Sequence, residues 1–382
     1  MPARREPGSV RVEDRWYNSQ KQPTKDHERG KRWRVRWVDY DRKEKTKAFE
    51  RQVDAKKFAT SITSEILRGE YIDRHVSATA VRSFYEPWYG SLTHLKDTTR
   101  FNYRGAWKNH VEPAWGDREI GTIKKTDVAG WVAAMVEDGK GPATIHIAHN
   151  VLYLVLEYAV DDRKLNSNPA HGVTLPAKSG KAHTYLTVRQ VEGLARAVDE
   201  LGADPLLVRV LGYCGLRWGE VAALRVADVD LGAARLRVRH NDTRPGGRLV
   251  ETTPKNHEAR AVPFPAVLAG GLEARTVGRR GDERVFRSPN GRPLAPDNYA
   301  KRVFAPAVKA CRESDERFPR LTAHDLRHTA ASLAVRSGAN VKAVQRMLGH
   351  KSAAMTLDVY TDLFDNDLDD VAARMSALIE GA

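Results

Sequence analysis

Residues 32–38 read Arg-Trp-Arg-Val-Arg-Trp-Val, a strict alternation of cationic and apolar side chains that suits a strand and not a helix. Successive strand side chains point to opposite faces. Arg32, Arg34 and Arg36 therefore share one side, and Trp33, Val35 and Trp37 the other. The aromatic side has to be buried against something. Residues 45–49 can pair with it across the turn-like 39–43. Residues 53–67 supply a helix, with Ala55, Phe58, Ala59, Ile62 and Ile66 at helical spacing and Gly69 beyond its end. The expectation for residues 1–75 is a small sheet backed by one helix.

That segment holds 20 Lys/Arg against 13 Asp/Glu, so +7 of the chain's net +14 falls in a fifth of its 382 residues. Such a surplus suits a polyanion, nucleic acid before an anionic membrane. Arg32, Arg34 and Arg36 are accordingly candidate DNA contacts, the competing reading being an ordinary solvated face. No apolar run nears the roughly 18–20 residues that span a bilayer, and the N-terminus MPARREPGS lacks a hydrophobic signal segment. Two cysteines, Cys214 and Cys311, with no CxxC, offer neither a disulfide scaffold nor a cysteine-rich zinc module. A soluble, cytoplasmic, DNA-associated protein with no membrane partner is expected.

The pattern changes twice along the chain. Residues 76–177 read as a helical domain, with helices near 79–89, 98–110, 124–136 and 144–159. In the last, Ile145, Ala148, Leu152, Val155, Leu156 and Ala159 form one apolar stripe, read as core. Residues 175–183 have linker composition. Beyond them, residues 178–382 alternate helices with short strands near 234–240, 248–253 and 260–263, the hairpin tip being Pro245-Gly246-Gly247. Helices return near 300–313, 323–337, 341–348 and 368–379. The fold class is multidomain and mainly α with small β-sheets: an N-terminal sheet plus helix domain at 1–75, a helical domain at 76–177, and a mixed α+β domain with a C-terminal tail helix at 178–382.

Nucleotide cradles are absent: the chain has no GxxxxGK[ST], and no GxGxxG follows a strand. His324 and His328 sit four apart as in an HExxH zinc helix, but the glutamate is missing and Arg327 would set a cation between them. No metal and no cofactor is expected. At 100° per residue, His324, Arg327 and His328 share one helix face, opposite Leu326, Ala330 and Leu333. Three further segments stand out. Gly215-Leu216-Arg217-Trp218-Gly219-Glu220 places an arginine between two glycines, with Glu220 read as a structural partner. Thr253-Pro254-Lys255-Asn256 puts a lysine at a strand end. Leu348-Gly349-His350-Lys351-Ser352 is a helix stop followed by a histidine, and Tyr360 lies ten residues later.

Taken in this order, the segments resemble the tyrosine recombinase (phage integrase) family, whose pattern is a GLRxGE-like arginine, a hairpin lysine, an HxLRH segment, an LGH segment and a tyrosine. The resemblance covers residues 186–364 and places the family's catalytic positions on Arg217, Lys255, His324, Arg327, His350 and Tyr360. By spacing alone Lys301 and Lys309 remain alternatives to Lys255. It also implies that the N-terminal and helical domains are arm-type and core-type DNA-binding domains.

The implied activity is site-specific recombination. Tyr360 would attack a phosphodiester, Arg217 and Arg327 would hold the equatorial oxygens of the five-coordinate phosphorus, and His324 would accept or relay the phenol proton. His350 would bond the phosphate, Lys255 would protonate the leaving 5′ oxygen, and a 3′-phosphotyrosine would form. Double-stranded attachment-site DNA, a homotetramer on DNA, a tail that docks on a neighbouring subunit and an accessory DNA-bending or directionality protein are the implied partners. A non-catalytic DNA-binding regulator and a type IB topoisomerase are the alternatives.

Overall fold

The computed structural model describes residues 8–39, 42–69, 71, 78–178, 183–253, 259–364, 375–376 and 379–380. The chain forms two compact units, Met1–Ser179 and Gly180–Ala382. Lys255 and most of the expected tail helix at 368–379 lie outside the described residues.

The first unit opens with an antiparallel sheet of order β1-β2-β3: β1 (Val10–Asp14), β2 (Trp33–Val38) and β3 (Glu44–Phe49). The pairing of β2 with β3 is the expected one, and the helix α1 (Gln52–Leu67) covers the sheet. Val35, Trp37, Ala55 and Ile62 are buried between them, joined by Tyr71, whose hydroxyl accepts a 2.7 Å hydrogen bond from the Trp37 indole.

Strand β1 was not foreseen, because residues 10–14 are short and carry acidic groups. Those groups decide what the arginines do. Glu13 lies opposite Arg34 in the register. Arg32 gives Asp14 two hydrogen bonds from Nε and Nη2 (3.1 and 2.9 Å to Oδ2), Arg34 reaches Glu13 at 2.8 Å, and Arg36 pairs with Glu13 and Glu44. The Arg34 hydrogen bond and the guanidinium charges hold the Glu13 carboxyl below its ordinary value, against the opposing effect of burial. The arginine face is thus largely neutralised from within.

The helical part is built from α2 (Arg82–Ser91), α3 (Asp97–Ala106), α4 (Lys125–Glu137) and α5 (Pro142–Asp161). A π-turn, Trp107–Val111, carries α3 on into Glu112–Trp115. Aromatic rings glue α2 to α3 and to this extension. Tyr85 stacks on Trp107 at 4.1 Å and 8°, and Trp88 on Tyr103 at 5.9 Å. Against expectation, α5 has the length and hydropathy of a membrane span, 20 residues with an 18-residue stretch at mean hydropathy 1.2. Its apolarity has a local cause: Ile145, Ala148, Val151, Leu152, Val155, Leu156 and Ala159 are all fully buried in the helical core.

In the second unit, α6 (Val188–Glu200) and α7 (Pro205–Cys214) pack with α8 (Trp218–Ala223), α9 (Ala269–Thr276) and α10 (Ala305–Ser314) around one apolar core. The strands form two sheets where one was expected. β4 (Val229–Asp230), β5 (Arg235–Val238) and β8 (Arg260–Pro263) make one. The hairpin β6 (Asn241–Thr243) and β7 (Val250–Thr252) makes the other, with a 3-10 turn at Pro245–Gly247. The chain then builds α11 (Asp325–Arg336), α12 (Val341–Leu348) and α13 (Ala353–Phe364). The last was missed in the sequence, and it carries Tyr360. Its apolar and small residues fall among Thr and Asp, so no clean helical stripe announces it.

Candidate active site

Four chain segments meet at Tyr360. The first is the α7–α8 turn. Gly215 ends α7 at φ 66°, and a Cβ there would lie 2.8 Å from Leu348 Cδ2 and 3.2 Å from Ala330 Cβ. Gly219 is pressed as hard: its Cβ would sit 2.4 Å from the Asp242 carbonyl. Only a chain bare at both positions lets α8 start against α11, α12 and the hairpin at once.

Between these glycines Arg217 caps α8. The Glu220 carboxylate accepts from the Arg217 backbone N–H and from its Nη1, both at 2.8 Å. It also accepts a parallel pair from Arg260 of β8, at 2.9 and 2.7 Å. Glu220 is therefore the structural partner expected, and it is fully buried. Burial alone would raise its carboxyl; hydrogen bonds and charge from Arg260, with Arg217, bring it down to about 2. The role of Arg260 was not legible, because the local strand pattern says nothing of a carboxylate 40 positions earlier.

The second segment is α11. Its sequence suggested a helix presenting His324, Arg327 and His328 away from the core. The correction is that Arg327 is buried, at 3% exposure, along with Leu326, Thr329, Ala330, Ala331 and Ser332. Its guanidinium donates to two main-chain carbonyls, Gly215 (2.7 Å) and Leu348. These are the ends of α7 and α12, where helix dipoles concentrate negative charge. Burial, then the neighbouring Arg217, pulls the Arg327 guanidinium down to about 9. It is a cation short of an anion.

Histidines form the third element. His328 Nδ1 lies 2.9 Å from the Tyr360 hydroxyl. The His324 ring stands edge-on to His328 at 5.1 Å, and His183, at the start of the unit's described chain, lies over His328 at 4.1 Å. Burial and the neighbouring His183 lower His328 to about 4, and burial and Arg327 lower His324. The group touching the phenol is therefore His328, one helical turn from the His324 picked out in the sequence.

The fourth segment follows α12. His350 sits parallel to the Tyr360 ring (6.2 Å, 6°), and its Nδ1 is 3.0 Å from the Thr356 hydroxyl. Burial, then Arg327 and Arg217, brings it to about 4. Tyr360 itself is 1% exposed, packed with Ala331, Val335, Val344 and Leu348. Burial raises its phenol to about 12, with Arg327 and Arg217 opposing.

Comparison with known proteins agrees with this geometry. The model of the "Phage integrase family" matches residues 184–367, the stretch that holds every group just described except His183. Over residues 184–367 the chain matches the phage integrase family, and its relatives include an integrase and a tyrosine recombinase. It is 27% identical over 311 residues to the integrase of Mycobacterium phage FRAT1, covering 79% of this chain and 89% of that one. It is also 27% identical to tyrosine recombinase XerC of Alcanivorax borkumensis over 76% of this chain and 91% of that one.

Among solved structures the fold is similar to the Tn1549 transposon integrase in complex with a circular intermediate DNA. That match has TM-score 0.66 and 22% identity, over 78% of this chain and 99% of that one. The lambda integrase tetramer bound to a Holliday junction is similar at TM-score 0.59 and 20% identity, over 84% and 93%. This recombinase gathers five of the six expected residues, Arg217, His324, Arg327, His350 and Tyr360, around one spot. The sixth, Lys255, lies outside the described residues.

Proposed function

We propose that this recombinase cuts and rejoins duplex DNA at specific attachment sites, integrating or excising a mobile element, with Tyr360 as nucleophile. The observation that carries the assignment is a phenol hydroxyl 2.9 Å from an imidazole beside three guanidiniums, of which Arg217 and Arg260 share Glu220 and Arg327 has only main-chain carbonyls. A phosphodiester with its developing equatorial charge is the ligand that such a cation surplus awaits.

In the proposed step the Tyr360 oxygen attacks phosphorus and the bond to the 5′ oxygen breaks, leaving a 3′-phosphotyrosine and a 5′ hydroxyl. The phenol proton passes to the imidazole pair, His328 already bonded to it and His324 edge-on behind. Arg217 and Arg327 hold the equatorial oxygens, and His350 bonds the same phosphate. Lys255 supplies the proton to the departing oxygen. One ester replaces another, so the 5′ hydroxyl of a partner strand reverses the step without ATP. Because Tyr360 is buried and its phenol raised, binding of the phosphate has to draw it out of its seat.

The three-part division at 1–75, 76–177 and 178–382 is kept as a proposal, supported by separate apolar clusters for the sheet and the helices. For DNA contact by the helical part, support comes from Lys96, Arg100 and Arg104, set four residues apart, with the last two guanidiniums over Tyr89 at 5.0 and 4.9 Å. Arg32, Arg34 and Arg36 remain candidates that must first leave their carboxylates. A homotetramer on DNA, an accessory DNA-bending protein and action in the cytoplasm of a bacterial host complete the proposal.

Attachment-site DNA with a nick beside the cleavage position tests it. The chain should accumulate a covalent adduct, and Tyr360→Phe should form none while binding DNA within about twofold. Adduct formation by that variant overturns the assignment of Tyr360.

A further inference from the structure

His350 is gripped at every polar position but one. Its backbone N–H donates to the Gln345 carbonyl and its own carbonyl accepts from Gln345 Nε2, both at 3.1 Å, so the residue after the α12 stop cannot swing. Its Nδ1 meets the hydroxyl of Thr356, which is fully buried on α13, one turn ahead of Tyr360. That leaves Nε2 as the ring nitrogen available to an incoming anion.

A hydroxyl can give or take a proton, so the direction of this bond matters. Helical threonines commonly spend their proton on the carbonyl four residues back. Thr63 and Thr329 do so here, toward Ala59 and Asp325. The Thr356 hydroxyl is turned to the imidazole instead. Among three guanidiniums the imidazole is neutral at pH 7, so it carries one proton. If that proton were on Nδ1, Nε2 would aim a lone pair at a phosphate oxygen and repel it. If Thr356 donates to Nδ1, Nε2 keeps its N–H and becomes a donor.

We propose that Thr356 is a positioning residue that holds His350 in its Nε2–H tautomer. Because Thr356 lies on the helical turn that runs into the kink at Tyr360 (φ −129°, ψ 20°), the phosphate-binding histidine is set only while the turn carrying the nucleophile is seated against α12. The inference rests on the recombinase reading for what His350 binds, and on geometry alone for the tautomer. It links two steps that would otherwise be independent. Withdrawal of α13 frees the imidazole to flip, so an unseated nucleophile leaves a site that also grips phosphate poorly.

Two variants of the full-length chain separate this from plain packing. Thr356→Val keeps the shape and removes the hydroxyl, and Thr356→Ser keeps the hydroxyl. In ¹⁵N-histidine-labelled protein at pH 7, the His350 signals, assigned by their loss in His350→Gln, should show Nε2–H in the native chain and in T356S. In T356V they should show a mixed or reversed tautomer. On nicked attachment-site DNA, T356V should form adduct about 10- to 100-fold more slowly at unchanged DNA affinity, the scale on which hydrogen-bond partners of site ligands act. T356S should recover to within about threefold. An Nδ1–H signal in the native chain overturns the proposal, and so does native tautomer and native rate in T356V, or equal loss in both variants. If the native chain forms no adduct, the recombinase reading fails, and the tautomer measurement alone decides the role of Thr356.

Discussion

On the N-terminal sheet, Arg32, Arg34 and Arg36 face Asp14, Glu13 and Glu44, three cations against three anions. Around Tyr360, Arg217 and Arg260 share the one carboxylate of Glu220, and a third guanidinium, Arg327, has only carbonyls. The sequence shows both places as arginine-rich. They differ in what is left over. A sheet whose charges cancel gains modest surface stability and has little pull on a polyanion. A buried surplus costs stability in the free protein and is relieved when a phosphate arrives. Net charge therefore locates a nucleic-acid binder, and the distribution of carboxylates locates the chemistry.

The comparison breaks most readily at the site. Arg217→Ala should slow adduct formation about 10³-fold or more while the protein stays folded, since one preorganised donor to developing charge accounts for 10²–10³ and this one is bidentate. A loss below tenfold would mean that the surplus is structural. Next in size is Glu220→Gln, which leaves Arg217 and Arg260 facing each other without an anion. It should cost on the order of 3–5 kcal/mol in urea unfolding at neutral pH.

Acid sharpens the same point. Glu220 titrates near 2 in the fold against an ordinary 4.5, so the unfolded chain takes the proton first. Its contribution is complete above about 4.5 and is lost as pH falls toward 2. His328 and His350, near 4 against an ordinary 6.5, begin the loss earlier, between about 6.5 and 4. Unfolding free energy should fall in both windows, and H350Q should flatten part of the upper one. A stability independent of pH from 7 to 3 would contradict the buried geometry.

The smallest effects belong to the sheet. Arg34→Ala should change DNA affinity by less than about 1 kcal/mol. Glu13→Gln, which frees Arg34 and leaves Arg36 to Glu44 alone, should tighten binding and steepen its salt dependence by up to roughly one phosphate contact's worth. A tenfold loss from Arg34→Ala would show that DNA displaces Glu13, and the contrast with the catalytic unit would vanish.

Where local periodicity is strong, the elements could be read directly. The Arg/Trp alternation became β2, the stripe from Ile145 to Ala159 became the fully buried side of α5, and 341–348 became α12 with the same bounds. The site was legible as an ordered set of residue types, because each segment carries local context. Its interior was not. Arg260, His183 and Thr356 stand in unremarkable surroundings, and their partners lie 40, 145 and 6 positions away, at Glu220, His328 and His350.

The sequence by itself determined the strongly patterned elements, β2, α5 and α12 among them, and which side chains are on hand, since these follow from the spacing of apolar residues and from glycines placed where chains must touch. Tertiary packing alone decided that the Arg327 side of its helix turns inward, that His328 meets the phenol ahead of His324, and that Glu13 and Asp14 come to rest beside the arginines of β2. Each of these depends on which surface another element covers. Burial, charge and hydrogen bonding then assign to every group a partner that no local pattern names.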